Sequence, residues 1–418
     1  MPSETGDTTP RIRVLHPTAN ANVRAVVGAF ARRGMLERFH TCIGVAEDER
    51  NPLARRFFAR RPCPARRAQL RRQPFRESLR LLSERTGLLP ALRRHETGPL
   101  CIDRVYRALD AAAARDLAAD RTPPDAVYAY EDGALATFRA ARERGVCRLY
   151  DLPIGYWRAA RRIQAAEAER RPDWAATMPA LRDSDAKTTR KDAELKEADT
   201  IFVASRFTAR SLRDAPFPLA EPVVIPYGCP PVSLGSPPRR NRAAPLKVLY
   251  VGALSQRKGV ADLLDAVDRL GSGAELTLVG KQVAPCRPLE TALRRHHWRE
   301  SLPHAAILET MREHDVFVFP SFFEGFGLVI TEALSQGLPV IATPNTCAPD
   351  VMRDGREGFI VPTGDPEAIA TKLETLHQDR AQLDGMREAA LATARATTWE
   401  AYQKGLAEAV ARAVGKVI

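Results

Sequence analysis

Two carboxylates, Glu324 and Glu332, stand seven residues apart in a stretch that changes character between them. Val316 to Phe319 is a short β-branched and aromatic run, which predicts a buried strand. Pro320 ends it. Glu324-Gly325-Phe326-Gly327 is a loop whose glycines let backbone approach a ligand closely. Leu328 to Ser335 reads as a helix, with Gly337 at its C-cap, and Pro339 to Ala342 opens another strand. This is a strand–loop–helix–strand unit of a parallel sheet, and such sheets bind ligands at the carboxyl ends of their strands. Glu324 falls at that end, and the two acids can hold one ligand from two sides. For a lone pair the bland alternative is stronger: Glu324 caps the helix and Glu332 belongs to a solvated face.

A second constellation is Gly252-Ala253-Leu254-Ser255-Gln256-Arg257-Lys258-Gly259. It follows the strand-like Lys247 to Val251 and precedes the amphipathic Val260 to Leu270. Adjacent cations at a helix start suit an anionic leaving group such as a diphosphate, because positive charge stands where negative charge develops. Taken singly, Arg257 and Lys258 read as surface charges on a turn. Beside the Glu324 loop, diphosphate binding is the better reading.

Pro320-Ser321, Glu324-Gly325-Phe326-Gly327-Leu328, Glu332-Ala333 and Gly337-Leu338-Pro339-Val340 together resemble, in register, the donor-site signature of the family-four retaining nucleotide-sugar glycosyltransferases. The resemblance extends more loosely from about Asp192 to the C-terminus. It implies a GT-B fold, two Rossmann-like α/β domains with parallel sheets facing across a cleft. It implies that Glu324 holds hydroxyls of the donor sugar and Glu332 the nucleotide ribose. Gly252, Ser321, Gly325, Phe326, Gly327 and Leu328 would line the donor, and Lys258 and Arg257 the diphosphate. The family usually carries an arginine at the position of Ala253; here Arg257 is the candidate substitute. Asn345-Thr346-Cys347 and Asp350 replace the family's more usual Gly-Gly and Glu. Retention is usually described in this family as front-face attack, with the leaving phosphate taking the acceptor proton, so no dedicated protein base is required.

The N-terminal half shows the matching strand–helix rhythm. Arg11 to Leu15 and His40 to Val45 read as strands around a helix from Val23 to Arg33. The intervening loop has no phosphate-loop glycines; His16, Asn20 and Asn22 stand there, either as helix caps or facing substrate. Ala126 to Tyr130 and Arg148 to Tyr150 are further strands. They bring Tyr130, Glu131, Tyr150 and Asp151 to carboxyl ends, and Asp151 is the candidate for orienting an acceptor hydroxyl. Ala159 to Ala198 reads as mostly helical. The Asp183-Ser184-Asp185 triplet within it follows no strand and reads as solvated surface, so no metal site and no cofactor are expected. The domain organisation expected is an acceptor-side domain over 1–232 with a basic insertion at 52–99, a linker at 233–245, a donor domain over 246–396, and a terminal helix over 397–418 that in the family crosses back to the first domain.

A chain of 418 residues accommodates two or three domains. Seven dispersed cysteines without a Cys-x-x-Cys argue for reduced thiols in a cytoplasm. There is no apolar run of membrane-span length and no signal-peptide layout at the start. The formal charge of +12 is concentrated. Arg55 to Arg94 holds thirteen arginines against Glu77 and Glu84, a surplus of +11. With no nucleic-acid motif, the expected partner of that segment is an anionic membrane surface met from the cytoplasmic side, not nucleic acid.

The function expected is a retaining, hexosyltransferase-type transfer from a UDP- or GDP-sugar to a glycan or lipid-linked acceptor, in polysaccharide or glycolipid assembly. The alternatives are a nucleotide-sugar 2-epimerase of the same fold and a non-catalytic subunit that kept the fold. The missing arginine at Ala253 and the glycine-poor loop at Ala19 to Asn22 favour the latter slightly, and the intact Glu324/Glu332 pair opposes it.

Overall fold

The structure is a computed structural model and describes residues 9–52, 55–56, 61–232 and 244–416. Residues 233–243 of the expected linker, and Phe57 and Phe58 of the basic insertion, lie outside the described residues.

Two parallel sheets carry the chain. The first has seven strands, β1 (Ile12–Leu15), β2 (Leu36–Thr41), β5 (Leu70–Arg72), β6 (Ala126–Tyr130), β7 (Cys147–Leu152), β8 (Thr200–Val203) and β9 (Val223–Val224), in spatial order β5-β2-β1-β6-β7-β8-β9. A two-strand ribbon, β3 (Val45–Ala46) with β4 (Pro62–Cys63), lies apart from it. The second sheet has six strands, β10 (Leu246–Val251), β11 (Ala274–Val279), β12 (His297–Arg299), β13 (Val316–Phe319), β14 (Val340–Ala342) and β15 (Gly358–Ile360), ordered β12-β11-β10-β13-β14-β15. Helices cover both faces, so the central strands are apolar throughout, as in β13 and β14. In each sheet the strand order reverses beside the first strand, and that switch point opens a crevice at the carboxyl ends.

Three local readings change. The second strand runs over Leu36–Thr41 and not from His40 to Val45. Its Glu37 and Arg38 look unlike a strand because they serve an ion cluster: Arg13, buried in β1, binds Glu37 at 2.8 Å and also Asp120, while Arg38 binds Asp116 at 2.7 Å. The long helical reading of 159–198 is broken. Helix Trp157–Arg170 gives way to 3₁₀ turns at Pro172–Thr177 and Pro179–Arg182, each opened by a proline, before helix Asp185–Glu197 begins. Within the basic insertion, Leu70–Arg72 joins the first sheet as an edge strand against β2, followed by helix Pro74–Thr86.

The terminal helix Trp399–Ala413 lies along helix Ala21–Arg32 of the first half. Gln403 Nε2 donates to the Ala25 carbonyl at 3.1 Å, and Lys416 pairs with Asp125 at 2.9 Å. A stack of Tyr227, Trp399 and Tyr402 beside Phe326 joins this helix to the loop after β13.

Candidate active site

Strands β10 and β13 are neighbours, so the loops that follow them emerge side by side. That adjacency brings Lys258 to Glu324, 66 positions later in the chain: Lys258 Nζ donates to Glu324 Oε2 at 2.6 Å. Arg257 stands 3.7 Å from the same oxygen and donates to the Phe323 carbonyl at 2.7 Å. Lys258 also lies over the Phe319 ring, at 4.7 Å. Burial pushes the Glu324 carboxyl up, but Lys258 and Arg257 outweigh it and hold the carboxyl below its usual range. The geometry is an ionised carboxylate between two cations at the carboxyl ends of two central strands.

Local backbone explains why these residues can sit there. Gly327 (φ 90°) is the N-cap of helix Leu328–Ser335, and Gly259 (φ 72°) that of helix Val260–Leu270. Both are left-handed conformations that disfavour a side chain. Gly325 is required by space: a Cβ there would lie 1.9 Å from the Pro153 carbonyl oxygen of the first half. The Gly325 carbonyl accepts from Ser205 Oγ at 2.5 Å and Thr208 Oγ1 at 2.9 Å. Phe323 packs edge-on against Phe207. The carboxylate loop is therefore clasped by the opposite half of the molecule.

Gly252 ends β10 near the Lys258 stem, and Leu328 begins its helix half-buried. Phe326 is buried against Tyr227. Ser321 differs from its expected donor-lining role. It is fully buried, its hydroxyl donates to the Arg257 carbonyl at 3.2 Å, and its own carbonyl accepts from Thr343. It shapes the loop and presents nothing to a ligand. Glu332 sits one helical turn in, with Oε1 2.9 Å from His304 Nε2. His304 begins helix His304–Arg312 and was not anticipated, because an isolated histidine in a loop carries no pattern.

The acceptor-side candidates divide. Asp151 is not open to a substrate. It is buried, and Tyr128 OH donates to it at 2.6 Å. Burial pushes its carboxyl up to about 7. Tyr150 points to the other face of the sheet, fully buried, with its hydroxyl 3.3 Å from Glu194. Glu131 is buried and pairs with Lys191 at 3.1 Å. His16 ends β1 beneath Tyr130, whose ring it meets edge-on at 4.9 Å. Burial lowers His16 to about 3, so it is neutral, and its Nδ1 accepts from the Thr18 N–H at 3.2 Å. Asn20 caps helix Ala21–Arg32 through the Val23 N–H, the bland reading of the two, while Asn22 is half-buried within the first turn.

Two further features had no signal in the sequence. Gln256 is fully buried and donates to Glu167 at 2.6 Å and to Asp262 at 3.1 Å. Arg170 and Arg171 reach the same Asp262, at 2.7 and 2.8 Å, so helix Trp157–Arg170 is tied to the loop that holds Lys258. A cavity of about 480 Å³ lies between the halves, bounded by Arg257 and Phe323 on one side and by Gly155, Lys187 and Lys191 on the other. Asp183 stands near its rim with His95 and Glu96, a set of three potential metal ligands that is half-exposed and already engaged by Lys187 and Ser184.

Comparison with known proteins agrees with this geometry. Residues 245–379 match the family model for glycosyl transferases group 1. A glycogen synthase of Mycobacterium tuberculosis is 27% identical over 281 residues, which is 64% of this chain and 64% of that protein. The match thus spans just under two thirds of the curated relative's length. A sucrose-phosphate synthase structure from Thermosynechococcus elongatus superposes with a TM-score of 0.66 at 18% identity, covering 96% of this chain and 98% of that one. The Anabaena Alr3699/HepE structure in complex with UDP-glucose gives a TM-score of 0.63 at 16% identity, covering 96% and 100%. The paired switch-point crevices, the clasped Glu324 loop and the group 1 match over the second sheet agree with one another: residues 245–379 are similar to the group 1 glycosyl transferases, and the whole chain shares its two-domain fold with the sucrose-phosphate synthase and Alr3699/HepE structures.

Proposed function

We propose that the chain transfers a hexose from a nucleotide-sugar donor, with retention, to a glycan or lipid-linked acceptor. The observation that carries this reading is the Lys258–Glu324 contact at 2.6 Å with Arg257 beside it. A donor arriving between the two loops would exchange that ion pair for its own contacts, hydroxyls on Glu324 and diphosphate oxygens on Lys258 and Arg257. Arg257, within reach of Glu324, supports its role as substitute for an arginine at Ala253. Glu332, 2.9 Å from His304, is assigned the ribose in this reading, as the family resemblance implies. The Anabaena neighbour holds UDP-glucose, which favours a UDP-sugar among the donors.

Asp151 is buried and is given no role in this reading, which keeps the scheme implied by the family resemblance: the leaving phosphate takes the acceptor proton, and no protein base is required. The two cations supply the charge that a divalent ion would supply elsewhere, so the reaction is proposed to run without metal. No helix among the described residues is long and apolar enough to cross a membrane, so the acceptor side is proposed to meet any membrane peripherally, from the cytoplasmic face.

Thermal shift against UDP, GDP, ADP and CMP species tests the donor, because a ligand that binds only the native state raises its melting temperature. A shift with one nucleoside diphosphate, followed by sugar transfer that survives EDTA, is the expected result. Absence of any nucleotide shift, or conversion of donor alone to its 2-epimer, overturns the reading.

A further inference from the structure

Helix Pro74–Thr86 buries polar residues and leaves much of its apolar surface in solvent. Its acidic Glu77 faces inward, fully buried, where Arg61 at 3.2 Å and Arg80 at 2.7 Å neutralise it. Ser83 is buried too, donating to the Leu88 carbonyl at 2.7 Å. Leu81 packs half-buried against Cys42, Ile43 and Val105, but three other large apolar residues face out: Phe75 is 76% exposed, Leu79 38% and Leu82 58%. Positions 75, 79 and 82 recur at helical spacing and form one stripe. Gly87 (φ 70°) ends the helix, and the turn beyond it presents Leu88 and Leu89, each 66% exposed. Five of the nine exposed large apolar side chains among the described residues fall in these fifteen positions.

Exposed arginines surround the stripe. Arg76 and Arg85 flank it on the helix, and Arg66, Arg67 and Arg71 lie on the preceding edge segment. None of these five guanidinium groups forms a salt bridge among the described residues, although the Arg67 backbone N–H donates to Asp48, whereas Arg61, Arg72 and Arg80 all pair with carboxylates. The element projects from the edge of the seven-stranded sheet, since β5 pairs only with β2. Apolar side chains ringed by unneutralised guanidinium groups match the boundary of an anionic bilayer, with acyl chains for the leucines and phosphate headgroups for the arginines. A protein partner would have to bring a complementary acidic rim, and a second copy of this face would oppose like charges.

We infer that helix Pro74–Thr86 and the Gly87–Pro90 turn dock this protein on a membrane rich in anionic phospholipid. Leu82, Leu88 and Leu89 enter the headgroup boundary, and Arg71, Arg76 and Arg85 lie against the phosphates. The same segment continues through His95, which borders the cavity shared with Arg257 and Phe323, so the docked face and the acceptor side of the cleft are joined by a few residues. The docking surface stands apart from the nucleotide contacts, and the two are measured separately.

Flotation of the full chain with vesicles tests it, comparing phosphatidylcholine alone with phosphatidylcholine containing about 30% phosphatidylglycerol. The chain is expected to float with the anionic vesicles and to be released as salt rises through the screening range. Leu82→Gln/Leu88→Gln/Leu89→Gln and Arg71→Gln/Arg76→Gln/Arg85→Gln should each reduce the bound fraction roughly tenfold, with the nucleotide-induced thermal shift retained as proof of folding. Failure of the wild-type chain to float on anionic vesicles at low salt overturns the inference. So does equal flotation of all three proteins. Sedimentation showing a dimer that the leucine variant dissolves would assign the face to a second copy, and salt-dependent capture on a soluble acidic glycan without flotation would assign it to a polyanion. Either result also overturns it.

Discussion

Glu324 and Lys258 share a hydrogen-bonded ion pair of 2.6 Å although 66 positions separate them. Arg257 adds a second cation at 3.7 Å from the same carboxylate oxygen. The carboxylate is thereby held in ionised form, at the point where the proposed donor would bring its hydroxyls.

Glu324→Gln keeps the shape and a hydrogen-bond acceptor but removes the charge. Sugar transfer should fall by about 2–4 kcal/mol of transition-state stabilisation, roughly thirtyfold to a thousandfold in kcat. Circular dichroism should show an intact fold. A purified variant turning over like wild type would remove Glu324 from the site.

Replacing the cations separates phosphate recognition from base recognition. Lys258→Ala and Arg257→Ala should each weaken binding of the nucleoside diphosphate by about 1.5–3 kcal/mol, the scale of a charged hydrogen bond. The bare nucleoside should be affected far less. Calorimetric titration with both ligands reads the difference, and equal losses would mean that neither side chain meets phosphate.

Gly325→Ala probes the clasp between the halves. The added methyl meets the Pro153 carbonyl, a backbone atom that cannot rotate away, so the halves must separate or the loop must shift. A cost of about 1–3 kcal/mol is expected. The expected signature is a larger radius of gyration by small-angle scattering together with reduced transfer. An unchanged scattering profile with full activity would show that the halves do not meet at this glycine in solution.

Asp151 provides a pH test of its burial. Its carboxyl titrates near 7 in the folded chain against 3.8 for the ordinary group, so the native state holds a proton that the unfolded chain releases. Stability from this group is present below the unfolded value and is lost as pH rises through about 7, roughly 2–4 kcal/mol in all. Asp151→Asn, which still accepts from Tyr128, should flatten the fall in stability between pH 5 and pH 8. Urea denaturation at the two pH values measures it. An identical pH dependence in wild type and variant would mean that Asp151 is solvated.

The sequence by itself determined the donor-side architecture. Strand Val316–Phe319, the glycine loop, helix Leu328–Ser335 and the cap at Gly337 are contiguous, and their chemistry is local: β-branched residues for the strand, glycine where φ turns positive, a proline where the strand must stop. Parallel topology then leaves Glu324 one place to stand. What lay outside local order only the tertiary structure decided. Asp151 and Tyr150 come at a strand end as a catalytic pair would. Their sheet is covered on both faces, so successive side chains point into two cores and neither reaches the cleft. The reach of Lys258 to Glu324 depends on β10 and β13 becoming neighbours. Helix Pro74–Thr86 is the clearest case. Its pattern of leucines and arginines suits either orientation. Burial of Glu77 against Arg61 and Arg80 fixes which face turns inward, and the Arg61 pair closes only when the segment before β4 has come against the helix.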